Sequence, residues 1–157
     1  MSQSALQQGF YALRHGPAFG VGGMYATGNV TDTPIFIGAQ VPSLHRKQSW
    51  AVTPVVGKHD MYTIALANSD VVGAFGTPKN KVTVNAPVVL AAKPQNWRIV
   101  KSKTASVSDA YEIHADTCAK CPGLVISVPG VGNELKLVKL DSVKGDIPYF
   151  KFYGKST

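Results

Sequence analysis

The chain has 157 residues, 45% apolar and only 16% charged, with 15 glycines, 10 prolines and a formal net charge of +7. That composition excludes a disordered polar chain and fits one compact, turn-rich domain with a sizeable core. No apolar run approaches the ~20 residues of a membrane-spanning helix, and Met1 to Gln8 lacks the apolar stretch of a secretory signal, so cytoplasmic synthesis without membrane association is expected.

In chain order, runs rich in β-branched and aromatic residues, separated by Gly, Pro, Asn and Asp, predict strands. In the first third they cover 10–14, 19–25, 34–40 and 49–55. In the second they cover 61–67, 71–75, 87–92 and 96–101, and in the third 110–115, 123–128, 133–140 and 149–153. No segment holds a helical period over three turns.

The strands belong to a repeat of about 50 residues. Phe10-Tyr11-Ala12-Leu13 matches Met61-Tyr62-Thr63-Ile64 and Ala110-Tyr111-Glu112-Ile113. Thr33-Pro34-Ile35-Phe36-Ile37 matches Ala86-Pro87-Val88-Val89-Leu90, with Glu134-Leu135-Lys136-Leu137 in third place. Gln48-Ser49-Trp50 and Gln95-Asn96-Trp97 close the first two units, and Phe150 closes the third. Three units of four strands, at about 9–57, 58–104 and 105–154, predict an all-β fold. The expected architecture is a single β-trefoil domain over 1–157, a closed twelve-strand arrangement in which three hairpins cap a barrel. Trp50, Trp97 and Phe150 are expected as equivalent core anchors, with the glutamines fixing loop geometry.

Nothing in the sequence points to catalysis. It contains no G-x-S-x-G, H-E-x-x-H or phosphate-loop pattern, and its nine acidic residues are thinly spread, so neither an enzyme nor a cofactor is expected. His59-Asp60 and His114 with Asp116 read as chance neighbours near turns. Cys118 and Cys121 form C-A-K-C, followed at once by Pro122-Gly123. That context lacks the helix a redox pair requires and the four ligands a zinc site requires, which leaves a loop pair, free or bridged, and no metal. The basic residues are scattered (Arg46-Lys47, Lys79 to Lys81, Lys101 to Lys103, Lys136 to Lys144), with no basic helix or base-stacking motif, so no nucleic-acid partner is expected. Asn29-Val30-Thr31 matches a glycosylation acceptor, which stays unmodified without secretion.

Recognition is expected where the threefold repeat is broken, because packing dictates the scaffold and leaves the loops free. Three loops break it. His15 to Met24 holds four glycines and a proline. Gln40 to Lys47 is long and basic, with Leu44 expected to be exposed. Ala67-Asn68-Ser69-Asp70 is a tight polar turn.

The stretch GVGGMYATG (Gly20 to Gly28), the run from Pro34 through Gln48, Trp50, Val52 and Thr53, MYTI (61–64) and VNAPV (84–88) resemble the mycocypins, the clitocypin-like β-trefoil inhibitors of cysteine proteases from mushrooms. The similarity is close over Gly20 to Val88, just under half the chain, and looser in the third repeat. It implies reversible inhibition of papain-like cysteine proteases by two loops that cover the catalytic cleft. Carried onto this chain, the first loop is Pro17, Ala18, Phe19, Gly20, Val21, Gly22 and Gly23. The second is Pro42, Ser43, Leu44, His45 and Arg46, within Val41 to Lys47. Gly22 matches a family glycine whose peptide flips on protease binding. A further family loop presents an asparagine to legumain. Asp70 stands at that position here, with Ser69 before it and Asn68 two residues earlier.

Two alternatives stay open. A trypsin-like protease would need an exposed basic residue such as Arg46, Lys47, Lys58 or Lys79, although Ala26 to Thr33, where related inhibitors keep an arginine, has none. A carbohydrate-binding trefoil would need an Asp and an aromatic platform in one repeat. Asp70 with Phe75 is the nearest match, while Asp116 has no aromatic partner.

Overall fold

In the computed structural model, residues 6–16, 24–67, 70–105, 107–117, 121, 123–128, 133–143, 145 and 147–155 are described. Their twelve strands are β1 (Gly9–Gly16), β2 (Tyr25–Thr27), β3 (Phe36–Gly38), β4 (Trp50–Pro54), β5 (Met61–Leu66), β6 (Ala74–Gly76), β7 (Val89–Ala91), β8 (Trp97–Lys101), β9 (Ala110–Ala115), β10 (Leu124–Ser127), β11 (Lys136–Lys139) and β12 (Tyr149–Lys155). Antiparallel pairs β1–β4, β4–β5, β5–β8, β8–β9, β9–β12 and β12–β1 form a closed six-strand ring. Each ring strand therefore has partners on both sides and no exposed edge. Hairpins β2–β3, β6–β7 and β10–β11 complete the expected β-trefoil.

The sequence repeat reappears as a repeat of register. Tyr11 faces Trp50, Tyr62 faces Trp97, and Tyr111 faces Phe150. Both tryptophans and Phe150 are fully buried. A buried indole needs an acceptor for its N–H. Trp50 Nε1 donates to the Ala26 carbonyl at 3.0 Å, and Trp97 Nε1 to the Phe75 carbonyl at 2.9 Å. Ala26 and Phe75 occupy matching places in their hairpins, opposite Ile37 and Leu90. Phe75 lies edge-on to both indoles, with ring centroids 4.8 and 6.4 Å away.

The hairpins meet in a cyclic arrangement. The Ile35 N–H donates to Val88 O, the Val88 N–H to Leu135 O, and the Leu135 N–H to Ile35 O, at 2.8 to 2.9 Å. All three side chains are fully buried. At the other end of the barrel, Leu6 is buried and its carbonyl accepts from Tyr62 Oη at 2.9 Å, while Tyr11 Oη donates to Gln7 O at 2.7 Å. Burial raises the pKa of Tyr11, Tyr62 and Tyr111, and Asp109 or Asp60 nearby adds to the shift.

Most strands fall within one or two residues of expectation. The hairpin strands are shorter. Where 34–40, 87–92 and 133–140 were expected, β3, β7 and β11 keep only Phe36–Gly38, Val89–Ala91 and Lys136–Lys139. Ahead of them stand isolated bridges at Pro34, Pro87 and Glu134, each reaching the next hairpin. Proline has no N–H for the ladder, and the chain there serves the threefold centre in place of its own hairpin. Strand β2 begins at Tyr25, at the far end of the expected 19–25, of which 19–23 lie outside the described residues. Among the described residues, no helix is long and apolar enough to cross a membrane.

Trp97→Ala removes an indole from the barrel and leaves the Phe75 carbonyl without its donor. The expected loss is about 3–5 kcal/mol of unfolding free energy, read from urea titrations. A loss near zero would show that Trp97 does not anchor the core.

Candidate functional site

The first two candidate loops leave the scaffold at one place. Tyr25, the first residue of β2, pairs with Arg14 of β1 on one side and with Gly38 of β3 on the other. The β1–β2 and β3–β4 connections therefore start from the same end of this three-strand unit. The first loop closes at its base through the His15 N–H, which donates to Met24 O at 2.9 Å. Gly16 is required there, because a Cβ on it would overlap the Tyr149 ring. Pro17, Ala18, Phe19, Gly20, Val21, Gly22 and Gly23 lie outside the described residues.

Within the second loop, expected as a long basic loop over Gln40 to Lys47, residues Pro42–Lys47 form a 3-10 helix. Val41 enters it extended, and Pro42 sits in the first turn, where its missing N–H costs nothing. The helix holds no acidic residue, and His45, Arg46 and Lys47 crowd its last turn. Val41, Pro42, Ser43, His45 and Arg46 are exposed. Leu44 is half-buried, which corrects the expectation that it is exposed. Residues three apart eclipse in a 3-10 helix, so Leu44 and Lys47, both half-buried, share the face turned to the protein body.

Gln48 holds this helix in place from below. It is fully buried, and its Nε2 donates to Thr27 Oγ1 and Ala39 O at 3.0 Å, with Gly38 O at 3.4 Å. Lys47 O accepts from the Gly28 N–H at 2.9 Å, and Lys47 Nζ donates to Asn29 Oδ1 at 2.5 Å. Ser49 Oγ donates back to His45 O at 3.2 Å. Gln95 makes the corresponding tie in the second unit, where its Oε1 accepts from the Thr77 N–H and Oγ1. The expectation that the glutamines fix loop geometry therefore holds at both positions.

The third candidate loop joins β5 to β6, so it is the threefold equivalent of the first. Asp70 is exposed, while Asn68 and Ser69 lie outside the described residues. Its base is set by the Leu66 N–H on Gly73 O and the Ala67 N–H on Ser49 O, both 2.9 Å. The second bond places it beside the end of the Pro42–Lys47 segment. Thr31 Oγ1 donates to Val72 O at 2.9 Å and joins the β2–β3 turn to the same loop.

Several residues have roles the linear pattern did not reveal. His15 pairs across the ladder with Phe150, in the place held by Leu66 opposite Trp50 and Ala115 opposite Trp97. It is thus a histidine at an inward barrel position, edge-on to Phe150 at 5.4 Å. Burial lowers its pKa from 6.5 to about 4. His114 pairs with Glu112 two residues before it, not with Asp116, through Nε2 and Oε1 at 2.8 Å, and both residues are buried. Period-2 alternation along β9 is the signal that puts these two side chains on one face. His59 touches Asp60 at 3.2 Å, but its side chain is 91% exposed. Cys121 is disulfide-bonded and not free, while Cys118 lies outside the described residues. Among the described residues, no group of three or more His, Cys, Asp or Glu is placed to hold a metal ion. Phe75 is fully buried between the tryptophans, so it offers no face to a sugar beside Asp70.

A family profile described as peptidase inhibitor clitocypin matches residues 9–152. The chain belongs to that family. It is 30% identical to clitocypin-2 from Clitocybe nebularis over 155 residues, covering 95% of this chain and 97% of the relative. It is 29% identical to clitocypin from the same organism over 153 residues, covering 94% and 97%. Among solved structures, a designed threefold-symmetric protein, ThreeFoil, superimposes with a TM-score of 0.62 at 15% identity, over 93% of this chain and 99% of that one. That likeness concerns the trefoil alone. Membership of the clitocypin family makes this chain a peptidase inhibitor and not an enzyme, with peptidases as its partners.

The His15 position has a consequence for acid stability. The unfolded chain takes up this proton near pH 6.5 and the folded protein only near 4. Between those values the unfolded state binds more protons, so stability falls as pH drops from 6.5 to about 4. His15→Leu, which installs the residue found at the equivalent position 66, is expected to flatten the fall in melting temperature over that window. Equal slopes for both proteins would remove His15 from the acid response.

Proposed function

We propose that this clitocypin-family protein reversibly inhibits papain-like cysteine proteases by covering the catalytic cleft with residues 17–23 and the Pro42–Lys47 helix. The observation that carries the reading is the double pairing of Tyr25. One strand end launches both connections, so a single edge of the molecule can enter a cleft from two sides. The helix is tied down at Gln48 and Lys47 before any partner arrives, which reduces the ordering cost of association. Val41, Pro42, Ser43, His45 and Arg46 form the exposed surface of this edge, and Leu44 supports it from below. In the first loop, Gly22 carries the backbone freedom that a peptide flip needs, since a Cβ penalises positive φ.

A second site is proposed on the β5–β6 loop. Asp70 is exposed on the β5–β6 connection, which stands in the second repeat where the β1–β2 connection stands in the first. This is the position from which an asparagine would enter the pocket of legumain, and aspartate is the poorer occupant.

Papain titrated with the protein, followed with a fluorogenic substrate, is expected to lose activity with near one-to-one stoichiometry. Gly22→Val should weaken inhibition about tenfold or more with the melting temperature unchanged, whereas replacing Cys118 and Cys121 together by serine should leave it nearly unaltered. Full papain activity at saturating protein would sink the cleft-blocking reading. Asp70→Asn is expected to strengthen inhibition of legumain measured in parallel, and no change would remove position 70 from that site.

A further inference from the structure

Three strand seams of the barrel are related by the threefold repeat, and each brings two residues face to face on its outer side. In the β4–β5 seam these are Ala51 and Ala65. In the β8–β9 seam they are Arg98 and His114, and in the β12–β1 seam Lys151 and Arg14. The alanine pair shows that the fold asks for no charge at this position. Two cations directly opposite each other on one sheet face destabilise it, so Arg14 and Lys151 work against the barrel they belong to.

The surroundings do not offset that repulsion with a carboxylate. Arg14 and Lys151 line a cleft of about 170 Å³ together with His15, Gly16, Val107, Tyr149 and Tyr153. No acidic residue is among the described residues lining it. Arg14 Nε is buried and has no hydrogen-bond partner among the described residues. Lys151 Nζ lies 5.1 Å from the centre of the Tyr153 ring, a cation–π contact weaker than an ion pair. A buried donor left unpaired is costly and rare in folded proteins.

We infer that the Arg14–Lys151 cleft is an oxyanion-binding site, which accepts the carboxylate or phosphate group of a small organic acid or phosphate ester. Arg14 and Lys151, which both line the cleft, supply two positive charges, while the tyrosine rings wall the space for the body that carries the anion. The site lies outside the residues proposed to touch a protease, so its test is independent of that reading.

The experiment follows the Arg14 Nε–H and the backbone amides of residues 14–16 and 149–153 by NMR. Inorganic phosphate and, separately, acetate are added at constant ionic strength, with chloride as the reference salt. The expected result is a saturable shift of these signals with phosphate or acetate and none with chloride, and whichever anion acts tells phosphate from carboxylate. Arg14→Ala with Lys151→Ala recreates the alanine pair of the β4–β5 seam. This variant should fold, melt in chloride at or above the parent temperature, and bind the active anion about ten- to hundredfold more weakly. No saturable shift with either anion, the same shift with chloride, or undiminished binding by the double variant would overturn the assignment.

Discussion

The cyclic hydrogen bonding of Ile35, Val88 and Leu135 is the constraint on which the rest of the molecule depends. Each hairpin donates to one neighbour and accepts from the other, so none is satisfied until all three are in place. A second triad runs beside it, in which the Ile37, Leu90 and Leu137 N–H groups donate to Asn133, Thr33 and Ala86 carbonyls at 2.7 to 3.0 Å. The side chains of Ile35, Ile37, Val88, Leu90, Leu135 and Leu137 are buried, and an unpaired N–H or C=O among them would cost about 1–3 kcal/mol. The chain therefore cannot shift one hairpin without breaking bonds in the other two.

The barrel layers inherit that symmetry and then modify it. Trp50, Trp97 and Phe150 fill one layer, and only the two indoles need a carbonyl acceptor from the hairpin above. Gln48 and Gln95 extend the same idea outward, since each ties a neighbouring connection to the strand that carries its tryptophan. The repeated Gln-x-Trp phrase thus couples a core anchor to a loop tie. In the first unit the loop tied this way is the Pro42–Lys47 helix at the proposed protease-facing edge. Because the tie is internal to the scaffold, the exposed residues of the helix are left free to vary with the target.

The proposed sites collect where the three units disagree. The first unit grows a glycine-rich connection and a basic 3-10 helix from one strand end. At the corresponding connection, the second unit presents Asp70. On the outer face of the barrel, two of the three seams replace an alanine pair by basic residues. His15 is a similar departure inside the barrel, a histidine where the other units place leucine and alanine. Each departure is affordable because the cyclic hydrogen bonds and the aromatic layer hold the scaffold independently of it.

The sequence by itself determined the trefoil, its strand order and its aromatic anchors, because a period of about 50 residues and two-residue alternation are local patterns that packing must obey. It also singled out the segments that became the candidate edge, since they interrupt that period. Only the tertiary structure decided that Tyr25 brings two of those segments to one strand end, that Leu44 turns inward on a 3-10 face, and that Phe75 is sealed between two indoles. The strand seams were equally hidden. Arg14 and Lys151 are 137 positions apart in the chain, and their confrontation exists only once β12 closes the barrel onto β1. Register between distant strands is a long-range property, set by the closed ring as a whole and carried by no single stretch of sequence.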